Sequence, residues 1–420
     1  MPRRQGYALL IALVAGTAAL AAAVAFGTSL TAGNRQTPLG APDSRGAARN
    51  PAAPANSTGT WVATWTAAPV SAEPDTRRGY PGRVIRNIVH TSVGGDAARI
   101  TLSNLFGTTP LVIDQATVNT RRVAFGGQPT VTVAAGRQVV SDPVVVPVAP
   151  DADLEVAFRT PYASGPVTQH PNTHQTSYLA DEHATWSTTR WRYLTAVDVR
   201  NTTSPGAIVV LGDSLTAGSG STTDADSRWP DVLSDRLRHA YGIANQGIAG
   251  NRLLRDSPLA RNGVTNLGGQ SGTHRFERDV LNVAGAQTVI IALGINDVQQ
   301  HPQEADPDRI TTGLRALTER AHARGLRVVG ATLTPFQGYA TWSPESNRVR
   351  LAVNEEIRAG RIFDAFVDFD RAVRDPYAPN RILPEYDSGD QLHFNDAGYR
   401  ALGQAIDLGT VDGTPKSDTF

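Results

Sequence analysis

The chain has 420 residues, 40% of them hydrophobic and 19% charged, a composition ordinary for a globular protein and a length that allows two domains with full cores. Its 39 basic and 39 acidic residues cancel, so there is no electrostatic footprint for nucleic acid. The absence of cysteine excludes disulfides, thiolate nucleophiles, cysteine-bound zinc and iron–sulfur clusters, and the sole lysine, Lys416, excludes phosphate-binding loops and kinases, which need a lysine beside the phosphates.

Arg3 and Arg4 precede an uncharged run from Tyr7 to Leu30, the layout of an export signal. Residues 1–33 are expected to be a signal peptide, with small residues near Thr31, Ala32 and Gly33 favouring cleavage. The run is also long enough to span a bilayer, so a membrane tether through residues 7–30 is the alternative. Either way the bulk of the protein is expected outside the cytoplasm. Residues 34–58 are rich in Pro, Ala, Gly, Ser, Asn and Arg with no apolar period, which predicts a solvated linker.

Residues 59–204 read as short strands separated by turns: RVIRNIVHTSV, ARITLSNLFG, LVIDQATV, PTVTVAA, QVVSDPVVVPV, DLEVAFRT and WRYLTAVDVR. Alternation and β-branched residues predict an accessory β-sandwich of the jelly-roll kind. Trp61, Trp65, Trp186 and Trp191 fall here; sandwich packing accounts for them, and a sugar-stacking platform is the sharper reading.

Over residues 205–410 the pattern becomes strand, loop, helix, repeated. IVVLGDS precedes a helix from about Arg228 to Tyr241 closed by Gly242. TVIIALGIND is a strand, and a helix with Ile310, Leu314, Leu317 and Ala321 on one stripe stops at Gly325 before LRVVGATL. A further helix carrying Val349, Val353 and Ile357 stops at Gly360 before AFVDF. This predicts a three-layer α/β/α domain around a parallel sheet, with ligands bound at the carboxyl ends of its strands. Residues 411–420 are expected to be a flexible tail.

Those carboxyl ends carry the chemistry. The first strand delivers Ser214, the segment YGIANQGIAGN delivers Gly250, TVIIAL delivers Asn296, and DSGDQLHFND supplies Asp390 three residues before His393. A serine hydroxyl is a weak nucleophile until an imidazole takes its proton, and the imidazole needs a carboxylate on its other nitrogen. The oxyanion then needs preorganised donors, which the backbone N–H groups of Ser214 and Gly250 and the side-chain amide of Asn296 can supply. Taken singly, each residue has a plainer reading: Ser214 or Asn296 as a cap, Gly250 as a turn, and Asp387 as a rival to Asp390. Asp297 is read as a brace for the loop. His170 and His174 have metal-ligand spacing, but a Pro-Asn loop is a poor scaffold and there is no H-E-x-x-H.

GDSLTAG, the NQGIAG glycine, GIND and DQLH, in this order and spacing, resemble the SGNH, or GDSL-type, hydrolase family over about residues 207–408. The resemblance implies Ser214 as nucleophile, Asp390 and His393 as triad partners, Ser214, Gly250 and Asn296 as the oxyanion hole, and a flavodoxin-like sheet. WVATWTAAP resembles the start of the accessory β-domain in exported two-domain members. Phe394 stands where relatives often have proline, and GIND where they have GTND. The expected activity is that of an exported serine esterase on short-chain acyl esters, acetylated carbohydrate or lipid, acting as a monomer without metal or organic cofactor. Acyl transfer to a sugar hydroxyl, or carbohydrate binding by a degenerate hydrolase, are the alternatives.

Overall fold

The computed structural model describes residues 59–257 and 268–412. The expected signal or tether, the linker and most of the C-terminal tail lie outside the described residues. Among the described residues no helix is long and apolar enough to cross a membrane.

In Arg83–Thr91 the buried residues recur at every second position, the period of a strand with one face on a core. Two antiparallel sheets are built this way. One is five-stranded, in the order Thr60–Thr66, Leu194–Asn201, Gly95–Ser103, Gln138–Val140, with Val144–Val148 also paired to Gly95–Ser103. The other is seven-stranded, in the order Thr185–Thr188, Ser177–Ala180, Arg83–Thr91, Ala152–Thr160, Leu111–Val118, Arg121–Arg122, with Val131–Val133 paired to Leu111–Val118. Val62, Ile100, Leu102 and Val197 of the first share one apolar core with Ile85, Val89, Leu154 and Val156 of the second. Trp65 and Trp191 meet edge to face inside it, 4.8 Å between ring centres. Trp186 is exposed with the Arg83 guanidinium over its ring, and Arg99 covers Trp61.

The run WRYLTAVDVR is not one strand. Tyr193 takes a left-handed φ of +59° and breaks it into Arg190–Arg192 and Leu194–Asn201. The first piece joins a small sheet with Thr168–Pro171 and Ser71–Ala72, while the second enters the five-stranded sheet. The buried Tyr193 ring holds the kink through a hydrogen bond between its hydroxyl and Ser164 Oγ at 3.1 Å.

The C-terminal half forms a five-stranded parallel sheet in the order Gly242–Gly247, Ala207–Gly212, Ala286–Ala292, Arg327–Ala331, Ala365–Val367. Counted along the chain this is 2-1-3-4-5, the doubly wound flavodoxin order. The order reverses between Ala207–Gly212 and Ala286–Ala292, which opens a crevice at their carboxyl ends. Pro307–His322 buries Ile310, Leu314, Leu317 and Ala321 and is capped by Asp306. Pro344–Arg358 buries Val349, Val353 and Ile357 and is capped by Ser343. Gly325 and Gly360 follow these helices with left-handed φ, as C-terminal glycines should.

The helix expected over 228–241 is shorter, Trp229–Arg236. Arg238 and His239 take φ of +53° and +55°, and the His239 ring turns back to Ser234 Oγ at 3.2 Å. Gly242 is therefore not a cap. It opens the edge strand of the parallel sheet, where a Cβ would lie 2.1 Å from the carbonyl oxygen of Ala63. This close approach marks a continuous seam. Ala63 N–H donates to Ala284 O at 3.0 Å, Ile243 N–H to Ser92 Oγ at 2.8 Å, and Thr66 Oγ1 to Asn245 O at 3.2 Å. Val62 and Ala63 lie in the same apolar cluster as Ala207 and Val209, so the β domain and the parallel sheet share buried surface.

Gly242→Ala is therefore expected to destabilise the protein by about 1–3 kcal/mol through overpacking at the seam. The measurement is the denaturant midpoint at unchanged m-value; an unshifted midpoint would show that the seam gives way freely.

Candidate active site

Every residue of the strand Ala207–Gly212 is buried, and the strand ends in a turn that only glycine fits. A Cβ on Gly212 would lie 2.0 Å from Thr216 Oγ1. Asp213 then caps the short helix Ser214–Ala217 by accepting the Leu215 N–H at 3.0 Å, which brings Ser214 to the rim of the crevice.

The Ser214 hydroxyl lies 2.9 Å from His393 Nε2, and His393 Nδ1 lies 2.6 Å from Asp390 Oδ2. Burial opposes ionisation of Asp390. The His393 and Leu392 backbone N–H groups and the His393 ring outweigh it and hold the carboxyl below its ordinary range. An ionised Asp390 can only accept, so Nδ1 carries the proton and Nε2 is free to accept from Ser214. Asp387 is turned away from the ring. It accepts from the Gly389 and Gln391 N–H groups at 2.9 and 3.0 Å and from the Gln391 side chain, bracing the turn that presents Asp390. Phe394 is buried edge-on against Tyr399, 5.8 Å between ring centres, which pins the chain directly after the histidine.

Asn296 lies inside the helix Ile295–Gln299, whose N-cap is Gly294. One of its amide hydrogens donates to Asn251 O at 2.9 Å, and its Oδ1 accepts from Gln299 and Gln300 at 2.7 and 2.8 Å. The carboxamide is thus fixed with its second hydrogen left to the cleft. Gly250 has φ of +72°, and the nearest atom to a Cβ there would be 3.5 Å away. Its conformation rather than crowding within the protein calls for glycine. Asp297 accepts the Leu253 and Leu254 N–H groups at 2.6 and 3.0 Å, so it braces the loop that follows Gly250.

Several participating residues were invisible to the sequence reading. Arg275 is completely buried and donates to Asn251 Oδ1 at 3.0 and 3.1 Å, to Gly212 O at 3.0 Å and to Asp279 Oδ2 at 3.2 Å. Burial lowers its pKa to about 10, which leaves it charged at neutral pH. A lone arginine in an arginine-rich chain, bonded partly to main-chain oxygen, carries no motif.

Ser214, Gly250, Asn296 and His393 line one open cleft of about 500 Å³, with Asn172, Ser219, Ser257, Gln299, Gln300 and Tyr339 adding polar walls. His170 and His174 do not form a ligand pair. His170 Nδ1 bonds Ala68 O at 2.7 Å, and burial lowers its pKa to about 4. Among the described residues, the groups that could place three ligand atoms around one ion are His90 with Asp153 and Asp226, and Asp151 with Asp235 and His239. Neither group lines the cleft.

Burial raises the pKa of Asp213 to about 7. A carboxyl with a raised folded value stabilises the fold while protonated: this contribution is complete below about pH 4 and is lost as the pH rises through about 7. Asp213→Asn keeps an oxygen for the Leu215 N–H and cannot ionise. It is expected to flatten the decline of Tm over that pH interval, and curves that stay parallel to wild type would contradict this assignment.

A family model described as GDSL-like lipase/acylhydrolase matches residues 210–401. No curated protein sequence matches the chain. Among solved structures, the chain is similar to an aryl esterase of M. smegmatis, at 20% identity over 47% of this chain and 94% of that one, with a TM-score of 0.37. It is similar to a carbohydrate acetylesterase family member from Sinorhizobium meliloti, at 18% identity over 47% and 94%, TM-score 0.38. It is also similar to a GDSL-like lipase from Bacteroides thetaiotaomicron VPI-5482, at 20% identity over 48% and 86%, TM-score 0.35. The matched segment runs from inside the strand Ala207–Gly212 to beyond His393, so residues 210–401 are a GDSL-like lipase/acylhydrolase domain, of the SGNH type, and that domain is an ester hydrolase.

Proposed function

We propose that the protein hydrolyses carboxylic esters through an acyl-enzyme on Ser214. The observation that carries this reading is the unbroken chain of hydrogen bonds from Ser214 Oγ through His393 to Asp390, at 2.9 and 2.6 Å. In acylation, His393 Nε2 takes the Ser214 proton as Oγ attacks the ester carbonyl. The oxyanion is met by the backbone N–H groups of Ser214 and Gly250 and the unused amide hydrogen of Asn296. Collapse breaks the bond to the leaving oxygen, which receives the proton from Nε2. Water then gives a proton to Nε2 as it attacks the acyl carbonyl, and collapse breaks the acyl–Oγ bond while Nε2 returns that proton to Ser214 Oγ, releasing the acid. Asp390 stays ionised throughout and holds the ring in the tautomer that both steps need.

Among the described residues, most side chains lining the cleft are amides and hydroxyls, with Ala249, Leu392 and the Tyr339 ring as its apolar members. That supports a short acyl group over a long lipid chain, which needs an extended apolar wall. The arginine pair and the uncharged run after it support export, so the reaction belongs outside the cytoplasm.

On p-nitrophenyl acetate, Ser214→Ala and Asp390→Asn are expected to reduce kcat by about three orders of magnitude or more, whereas Asp387→Asn, which touches only the turn, should be mild. A fluorophosphonate should label wild type at Ser214 alone; labelling at another residue, or a strong defect at Asp387 with none at Asp390, would overturn the scheme. Asn296→Ala should lower kcat by about a hundredfold with little change in KM, because the developing negative charge loses a donor. A rise in KM alone would make Asn296 a substrate-binding residue.

A further inference from the structure

The β domain reaches the catalytic cleft at one point. Asn172 is the one cleft-lining residue, among the described residues, that precedes the parallel sheet. It follows the strand Thr168–Pro171 at the tip of a loop fastened on both sides. Before it, His170 Nδ1 bonds Ala68 O at 2.7 Å, and directly after it Thr173 Oγ1 donates to Gln175 O at 2.9 Å. Ahead of it, Asp224 N–H donates to His174 O at 2.9 Å, while Thr176 donates to the Asp224 carboxylate through its N–H at 2.5 Å and its hydroxyl at 2.6 Å. The loop is therefore locked to the segment that leaves the nucleophile helix.

Asn172 itself has φ of +55°, is exposed, and its carboxamide has no partner among the described residues. The two cleft glutamines are tied down, Gln299 to Asn296 and Thr341 and the Gln300 amide nitrogen to Asn296 and Gly250. Asn172 thus brings a free donor and a free acceptor on a fixed backbone, exposed to solvent, so no buried group is left unpaired when a ligand is absent.

Asn172 and His393 line the same cleft, so the free carboxamide faces the space that His393 serves. His393 is the group that protonates the departing alcohol.

We propose that Asn172 is a specificity-determining residue that hydrogen-bonds hydroxyl groups of the leaving alcohol, and that the enzyme's preferred substrates are short-chain esters of polyhydroxylated alcohols such as sugars. The proposal rests on the acyl-enzyme reading above and adds to it the alcohol side of the substrate and a role for the β domain in selecting it.

The test compares p-nitrophenyl acetate, whose leaving group offers no hydroxyl donor to Asn172, with a methyl glucoside carrying one acetyl group. Asn172→Gly keeps the left-handed backbone without strain and removes the carboxamide. It is expected to lower kcat/KM for the acetylated glucoside by roughly tenfold, through KM, and to leave p-nitrophenyl acetate within about twofold. Asn172→Asp, which tolerates the same φ and keeps an acceptor, should recover part of the loss on the glucoside alone. An unchanged ratio between the two substrates in Asn172→Gly, or an equal fall on both, overturns the proposal. Wild type that cleaves p-nitrophenyl acetate but not the glucoside overturns it while leaving the esterase reading intact; wild type that cleaves neither removes both.

Discussion

The catalytic end of the parallel sheet is assembled around one buried guanidinium. Arg275 touches the last carbonyl of the nucleophile strand at Gly212, the side chain of Asn251 beside Gly250, and Asp279 on its own helical segment. A buried cation is tolerated only when its donors are met, so these three attachments constrain one another. Asn251 passes the constraint on, because its carbonyl oxygen fixes the Asn296 amide and its own Nδ2 ties down the main chain at Gly268 and Gln270. Ser214, Gly250 and Asn296 follow three different strands of the sheet, and this network holds all of them to one frame.

Opposite that frame, the imidazole is held by a tight turn. Asp390 and His393 meet because Leu392 and His393 both donate backbone N–H groups to the carboxylate that receives Nδ1. Asp387 stabilises the left-handed Gln391 within the same turn. The base is thus organised locally, and only its contact with Ser214 spans the domain.

This division explains what could be read in advance. The turn from GDQLH, the glycine-ended strand before Ser214 and the apolar stripes of the helices after Asp306 and Ser343 are local patterns, and each has a chemical meaning within a few residues. The network of Arg275 is largely not local: two of its three partners lie 24 and 63 residues away, and one of those is a main-chain oxygen. Gly242 looked like a helix stop because the apolar residues from Trp229 to Ala240 keep a helical spacing up to it, whereas its glycine character answers to Ala63 across the seam. The kink at Tyr193 is set by a buried hydroxyl and by the need to pass between sheets, which alternation alone cannot express. Asn172, polar and in a loop, has no pattern until the fold sets it beside the cleft.

The separation of Ser214 from His393 along the chain, 179 residues, has a consequence in time. In the proposed scheme the strand that carries the nucleophile is the first of the parallel sheet to be synthesised, and its proton acceptor arrives only after the other parallel strands have been made. Parallel pairing demands contacts distant in sequence and forms late in folding. On that scheme a nascent or half-folded chain would carry a serine without a base and would be chemically silent toward esters. Hydrolytic competence arrives with closure of the domain, so turnover reports completed folding of the segment from Ala207 through Gln404 more directly than any signal from secondary structure.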